Sequence, residues 1–500
     1  MSKNAPKVYK LLKNVEDLFK TKKNFFLDKS YIKDFSRKEG IVNFQSTDDS
    51  IKGFCLIDPS LTPAIRVFTF DEPSFSHEYL KKSIETAIGK RKDFAQNSLL
   101  DIGMRSAYRM VNEDGDNLPG LLIDKYGEYF LVTTLTPHWS VHMNYLSEFL
   151  INEIGGKGVY WRQKFTGIPK QTKLYRGSAL PVDYRGISDY FVEEDGMKVI
   201  IDFQEQYASG LYLEHRDTRK FIASLFENRD SGSLLVPFSH TATFSLYLAY
   251  KGMKVQTYNI ETSNLCMDMA EKNFKLNGIP TNYHKFIRRD AISHLDYMKS
   301  RSTKFDVIFL DPPPYSKSYN SPLFTTKNDY RSLLDSTRPL LNDGGYILPF
   351  VNINSDVKLE RWLRQIGLKN YLKNTSSSNE KLLEEQVVQE KQKQQYAQQK
   401  LQFKKLGQRQ NQEFQMGDEL KEFKKLNIQD AKFSKSTISV FEQFHGFKWK
   451  QDIKFPGPVD FVKRPNDPTE NYSRNNCGVV LHHKVDYYKT KYISPKVRDE

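Results

Sequence analysis

One stretch restricts the fold of this chain more than any other. Lys304-Phe-Asp-Val-Ile-Phe-Leu310 is a short apolar run rich in β-branched and aromatic residues, and Asp311-Pro-Pro-Pro-Tyr-Ser-Lys-Ser318 follows it directly. A run of that length and composition is the pattern of a strand buried on both faces of a parallel sheet. Prolines at 312 to 314 cannot continue a central strand. A carboxylate therefore stands at the carboxyl end of a buried strand, ahead of a stiff loop and an aromatic ring. In open α/β sheets, ligands bind at that edge. Asp311 and the Pro312 carbonyl suit an exocyclic amine on a planar ring, and Tyr315 suits stacking on that ring. Taken alone, the same residues also read as a turn that merely ends a strand.

Composition narrows the setting. Five hundred residues allow about two to four domains. Only 38% of them are hydrophobic, which leaves part of the chain without a core. Lys and Arg exceed Asp and Glu by 75 to 61, a net charge of +14 that favours a polyanionic partner such as nucleic acid. The three cysteines, Cys55, Cys266 and Cys477, lie too far apart to imply a disulfide framework or a metal cluster. No run approaches the roughly twenty apolar residues of a membrane span, so no membrane partner is expected. Met1 to Val15 is basic and free of acids, which allows a mitochondrial presequence, although it contains no arginine. A cytoplasmic location is the alternative.

Along the chain, Gly40-Ile-Val-Asn-Phe44, Gly53-Phe-Cys-Leu-Ile57 and Ala64 to Phe70 read as strands. Leu80, Ile84 and Ile88, spaced by four, predict an amphipathic helix over 77–92. Residues 108–132 form a series of short strands parted by turns at Asp114-Gly115, Pro119-Gly120 and Tyr126-Gly127. A dinucleotide oxidoreductase is disfavoured, because no G-x-G-x-x-G follows any strand.

Several motifs, in order, resemble a known family. Gly115-Asp-Asn-Leu-Pro-Gly-Leu-Leu-Ile-Asp-Lys-Tyr-Gly-Glu128 is similar to the hairpin of bacterial large-subunit (23S) rRNA methyltransferases with a PUA-type N-terminal region, the cytosine-C5 enzyme and its guanine-modifying relatives. Phe191 to Ile201 resembles the hairpin that leads into their catalytic domain. Ser209-Gly-Leu-Tyr-Leu-Glu-His-Arg216 resembles an element ending in Leu-Asp-(Gln/His)-Arg. Leu234 to Ala242, Val255 to Ser263, Ala270 to Gly278, Arg289-Asp290-Ala, the Asp311 loop and Gly344-Gly345-Tyr-Ile-Leu348 continue the match, which covers about residues 60 to 372.

The resemblance implies an α/β fold, a Rossmann-like class I sheet that binds S-adenosyl-L-methionine (SAM). Before that sheet it implies a small β-rich PUA-like remnant (1–75) and a linker helix with a central β-hairpin α+β domain (76–190). The methyltransferase domain then spans 191–372, followed by a linker and long polar helix (373–432) and a basic aromatic tail (433–500). For the cofactor it implies Arg216 at the amino-acid end, the turn residues Phe238, Ser239 and Thr241, Glu261 at the ribose, and Asp290 at the adenine amine. Asp311 lies near the sulfonium and the target base, with Pro312 and Tyr315 completing the catalytic loop.

Departures from the family pattern cluster on this pocket. The family glycine is Ala242, in a turn where positive φ or close backbone approach is wanted. Val236 replaces an asparagine, and Pro237 removes a backbone donor. Lys-Thr-Gly has become Ala208-Ser-Gly210, and residues 214 and 261 are Glu rather than Asp. Together they suggest relaxed demand for the cofactor. Cytosine-C5 chemistry needs a thiolate to add to C6, yet the strand that carries the family cysteine ends here in Leu348-Pro-Phe-Val-Asn-Ile-Asn354. Cys266 falls on a core-facing helical pattern, so guanine is the favoured base.

The tail interleaves cations and rings, as in Phe444-His-Gly-Phe-Lys-Trp-Lys450 and Tyr487-Tyr-Lys-Thr-Lys-Tyr492. That composition suits RNA phosphates and splayed bases, or else marks a low-complexity tail. Two functions stay open: a ribosome-bound, mitoribosomal component with weakened or lost catalysis, and an active guanine-N rRNA methyltransferase. Either implies ribosomal RNA as a partner, and the first adds ribosomal proteins.

Overall fold

The computed structural model describes residues 39–352 except 62, 98–103, 166–171, 204–208 and 317–322. It also describes short pieces before residue 39 (8–11, 15–17, 19, 26–27, 29–31) and the backbone of 440–444, 447–454 and 476–483. The expected linker and polar helix over 373–432 lie outside the described residues. The chain divides into two compact units, 1–359 with 454–479, and 360–453 with 480–500.

The first unit begins with five strands, β1 (Val8–Lys10), β2 (Phe26–Leu27), β3 (Gly40–Gln45), β4 (Lys52–Ile57) and β5 (Ile65–Thr69). They form one sheet in the order β1-β3-β4-β5-β2, antiparallel except for β1 beside β3. Successive side chains on a strand point to opposite faces, and here both faces are covered. Cys55, Ile57, Ile65 and Val67 pack with Val15 and Phe19 in one core. Phe54, Leu56 and Phe68 face a second core, shared with the next module. The predicted helix is α1 (His77–Asn97), longer than expected, and Leu80, Ile84 and Ala87 bind it to that second core.

That module is a second five-stranded sheet, β6 (Ala107–Asn112), β7 (Leu121–Tyr126), β8 (Tyr129–Thr134), β9 (Gly158–Gln163) and β10 (Thr172–Gly177), in the order β10-β9-β8-β7-β6. Helix α2 (Met143–Asn152) forms the crossover between the parallel pair β8 and β9. The turn over Glu113–Asp116 buries its acids against arginines: Arg91 meets Asp116 at 2.6 Å, and Arg66 from β5 meets Glu113 and Asp114 at 3.0 and 2.9 Å. The 113–116 turn, which overlaps the start of the 115–128 motif, therefore fastens the first sheet, α1 and the second sheet together.

A hairpin follows, β11 (Phe191–Glu194) and β12 (Met197–Ile200), closed by Asp195 and Gly196 at φ 51° and 84°. Positive φ at both turn positions is what an Asp-Gly hairpin supplies. The remaining elements are α3 (Arg216–Ser224), β13 (Gly232–Pro237), α4 (Thr243–Tyr250), β14 (Val255–Glu261), α5 (Asn264–Leu276), β15 (His284–Arg288), α6 (Ala291–Ser300), β16 (Phe305–Leu310), β17 (Tyr315–Ser316), β18 (Phe324–Thr325), α7 (Thr326–Thr337) and β19 (Leu341–Asn352). Strands β15-β14-β13-β16-β19 run parallel in that order. Leu234, Leu235, Val307, Ile308, Ile347 and Leu348 are fully buried in it. Strand order changes direction at β13, between β14 and β16, and that switch sets the ligand edge. This is the class I methyltransferase sheet that the resemblance implies.

The tail holds a backbone feature that the reading of it as an arm did not include. Val440–Phe444 (β20) and Phe447–Lys454 (β21) form an antiparallel hairpin, and Asn476–His483 (β22) is a further strand. Phe447, Trp449 and Ile453 alternate with Lys448, Lys450 and Lys454, the period of two that favours a strand. No helix among the described residues is long and apolar enough to cross a membrane.

Candidate active site

The carboxyl ends of β13, β14 and β16, with the start of α6 after β15, bring the sequence candidates to one edge. After β13 the chain turns sharply: Phe238, His240 and Ala242 all have positive φ, at 62°, 50° and 54°. Left-handed backbone costs about 1–2 kcal/mol for a residue with a Cβ, so the turn must be held by its surroundings. The Ser239 N–H donates to the Ile260 carbonyl at 2.9 Å, and the Ala242 N–H to the Ser239 carbonyl at 2.9 Å. The His240 N–H donates to Glu261 Oε2 at 3.0 Å, and the Thr241 hydroxyl to the Gly210 carbonyl at 2.6 Å. Ala242 thus adopts the conformation for which the family glycine is suited. Pairing of β13 with β16 ends at Leu235, before Pro237, which places the missing donor past that ladder.

Glu261 brackets the turn. Its Oε1 accepts from the N–H groups of Thr262 and Ser263, at 2.8 and 2.9 Å, while Oε2 accepts from His240. An ionised carboxylate has about four acceptor sites, so Oε2 retains capacity for a ribose hydroxyl. Asp290 caps α6, accepting from the Ser293 N–H at 2.9 Å. Ser239 is buried, and its hydroxyl has no hydrogen-bond partner among the described residues. A buried hydroxyl left unpaired costs about 1–3 kcal/mol, a debt that a polar ligand in this turn removes. Ser239 and Glu261 thus fit a ligand with a polar amino-acid end and a ribose. SAM has both.

Arg216 points into the protein. Its Nη2 donates to the Ala107 carbonyl on β6 at 2.8 Å, and its Nε lies 3.6 Å from Glu194, which Arg219 grips through both oxygens at 2.7 Å. The structure therefore places Arg216 between α3, the β11–β12 hairpin and β6. Phe238 lies at the rim, its ring 6.2 Å from that of Phe324.

At the end of β16 the pattern-based reading missed a partner. His215 Nε2 lies 3.0 Å from Asp311 Oδ2, and its Nδ1 lies 3.4 Å from Thr218 Oγ1. The imidazole is 1% exposed and the Asp311 side chain 17%. Among the described residues Asp311 has no other hydrogen-bond partner. A signal existed: the Gln or His of the resembling element both present an N–H donor. Tyr330 donates to the Leu310 and Phe350 carbonyls at 3.1 and 2.7 Å, tying the ends of β16 and β19. Burial, with the Asp311 charge adding to it, holds its phenol well above the ordinary value and so protonated. Tyr315 is 63% exposed, on a short hairpin of β17 with β18 that presents its ring outward. Cys55 and Cys266 are both buried, one in the first sheet and one on α5.

Residues 181–377 match the family model described as S-adenosylmethionine-dependent methyltransferase. A "Ribosomal RNA large subunit methyltransferase I" from Aliivibrio fischeri is 28% identical over 291 residues, covering 57% of this chain and 69% of that protein. One of the same name from Escherichia coli is 28% identical over 327 residues, covering 63% and 78%. Among solved structures, a methyltransferase crystallised with SAH (S-adenosylhomocysteine) superposes with a TM-score of 0.64 at 17% identity, covering 95% of this chain and 99% of its own. A Streptococcus mutans SAM-dependent methyltransferase gives 0.62 at 18%, with the same coverage. At those identities the likeness is one of fold.

Proposed function

We propose, on the premise that residues 181–377 place this chain in the S-adenosylmethionine-dependent methyltransferase family, that the protein methylates an exocyclic amine of guanine in large-subunit ribosomal RNA. The observation that carries this reading is Asp311, a half-buried carboxylate with one oxygen held by His215 and the other without a partner among the described residues. When bound, SAM supplies an electrophilic methyl group on a sulfonium centre. Asp311 accepts one N–H of the amine, which raises the nitrogen's nucleophilicity, and it is the acceptor for the proton lost on methylation. The exposed ring of Tyr315 offers a stacking face for the base. Ser239 and Glu261 hold the cofactor's polar ends. The substrate class is supported by the names of the relatives and by the +14 net charge.

Guanine is preferred to cytosine C5 because that reaction needs a thiolate, and Leu348–Asn352 at the end of β19 contains none. A second reading, RNA binding on a ribosome (a mitochondrial one in particular) with weakened turnover, is favoured by the three main-chain bonds already taken by Glu261. The test is incubation of the full chain with protein-free large-subunit rRNA and methyl-labelled SAM, followed by nucleoside analysis. Labelled N-methylguanosine, with no covalent adduct to 5-fluorocytosine RNA, is expected. Labelled 5-methylcytidine would overturn the base assignment. SAH binding without any product would leave the second reading standing.

A further inference from the structure

We propose that His215 is a positioning residue: it orients the Asp311 carboxylate so that the second oxygen faces the target amine. The inference rests on the function proposed above. His215 ends a 3-10 turn (Leu213–His215) and precedes α3, 96 residues from its partner. Its ring lies among those of Phe244, Phe309 and Phe350 at 5.4, 5.6 and 5.3 Å, all edge-on. In that apolar setting Nε2 is the nitrogen that meets Asp311, and Nδ1 has Thr218 Oγ1 within reach. The terminal torsion of an aspartate is broad and roughly two-fold, so a carboxylate at a strand end does not by itself aim an oxygen. A buried ring nitrogen at 3.0 Å on one oxygen removes that freedom. A histidine serving the core alone would pair with a carboxylate closed off from solvent, yet Asp311 keeps 17% of its side chain exposed. Positioning of this kind acts on the chemical step, where small misplacements of a reacting group cost on the order of a hundredfold in rate.

The experiment compares wild type, His215→Leu, His215→Gln, Asp311→Asn and the His215→Leu/Asp311→Asn double variant. Each is measured for methyl transfer to protein-free large-subunit rRNA and for SAH affinity by calorimetry. His215→Leu is expected to lower kcat about a hundredfold while SAH affinity changes less than about threefold. His215→Gln, which keeps an N–H donor, should recover at least tenfold of that loss and stands in if the leucine variant does not fold. Because His215 acts through Asp311, the double variant should be no slower than Asp311→Asn alone. A readout apart from turnover is the ¹⁵N spectrum of the histidines in the full chain, where Asp311→Asn should shift the His215 Nε2 resonance. Wild-type kcat in His215→Leu, or additive losses in the double variant, would overturn the positioning role. A wild-type protein that binds SAH yet methylates nothing would instead overturn the proposed function, and this inference with it.

Discussion

Glu261 shows how one residue can carry two roles. It was expected at the cofactor ribose, yet it also accepts three main-chain N–H groups and so holds the first turn against the end of β14. Hydrogen bonds to a charged group are worth about 1.5–3 kcal/mol each, and leaving a donor unsatisfied adds to the loss. Glu261→Ala should therefore cost about 2–3 kcal/mol of stability as well as at least tenfold in SAH affinity. Urea unfolding with calorimetry checks both. A variant with weakened SAH binding and unchanged stability would show that the bracket does not hold the turn. Ala242 illustrates a near cancellation. Ala242→Gly relieves about 1–2 kcal/mol of left-handed strain, but it gives up a buried methyl worth about 0.8 kcal/mol and adds unfolded-state entropy.

At the level of elements, strands β14 and β15 are joined by an unusual string of buried polar groups. Ser245 donates to Asn259 at 2.6 Å, Asn259 donates to Thr257 at 3.2 Å, and Thr257 meets His284 Nδ1 at 2.9 Å. Burial pushes the His284 imidazole down to about 4. The unfolded chain takes up that proton near pH 6.5, while the folded chain resists until about pH 4, so the unfolded state binds more protons in between. The stability linked to His284 is thus complete above pH 6.5 and is lost as pH falls toward 4, at about 1.4 kcal/mol per pH unit at most. His284→Asn should flatten the fall in urea midpoint between pH 6.5 and 4.5 relative to wild type. Equal slopes would mean that the ring is already solvated. The same element scale explains why the 115–128 motif is so specific. Its Asp116 is buried against Arg91, and Glu113 and Asp114 just before it are buried against Arg66; removing one partner of a buried pair costs about 3–5 kcal/mol.

For the whole molecule, the positive balance is the property that bears on RNA. Binding through phosphates makes log affinity fall linearly with log salt, by about 0.7–0.9 per contact. Replacing Lys484, Lys489 and Lys491 together by Gln should reduce that slope by about 2 to 3 if the segment meets the phosphates. Filter binding to large-subunit rRNA across a salt series measures it, and an unchanged slope would exclude those lysines from the interface. Within the first unit the parallel sheet has a firm mount. The two N-terminal sheets share a core through Phe54, Leu56, Phe68, Ile123 and Trp139, and Arg216 and Arg219 tie α3 to β6 and to the β11–β12 hairpin.

The sequence by itself determined the parallel sheet and its ligand edge, because an apolar run ended by Asp311 and three prolines is local information. It likewise determined the α1 helix, from spacing at four; the 191–201 hairpin was implied by the family resemblance, and Asp195 and Gly196 supply the positive φ that closes it. Strand β21 was legible too, in the alternation of Phe447, Trp449 and Ile453, but the basic aromatic composition masked that period. What only the tertiary structure decided is which groups meet. His215 and Asp311 lie 96 residues apart; Arg216 turns inward to Ala107 and Glu194, and Glu261 folds back on His240. Those meetings depend on the strand order β14-β13-β16 and on how α3 crosses it. Local patterning specifies each strand but not its neighbour, so the partners of a buried polar group emerge only when the sheet is assembled.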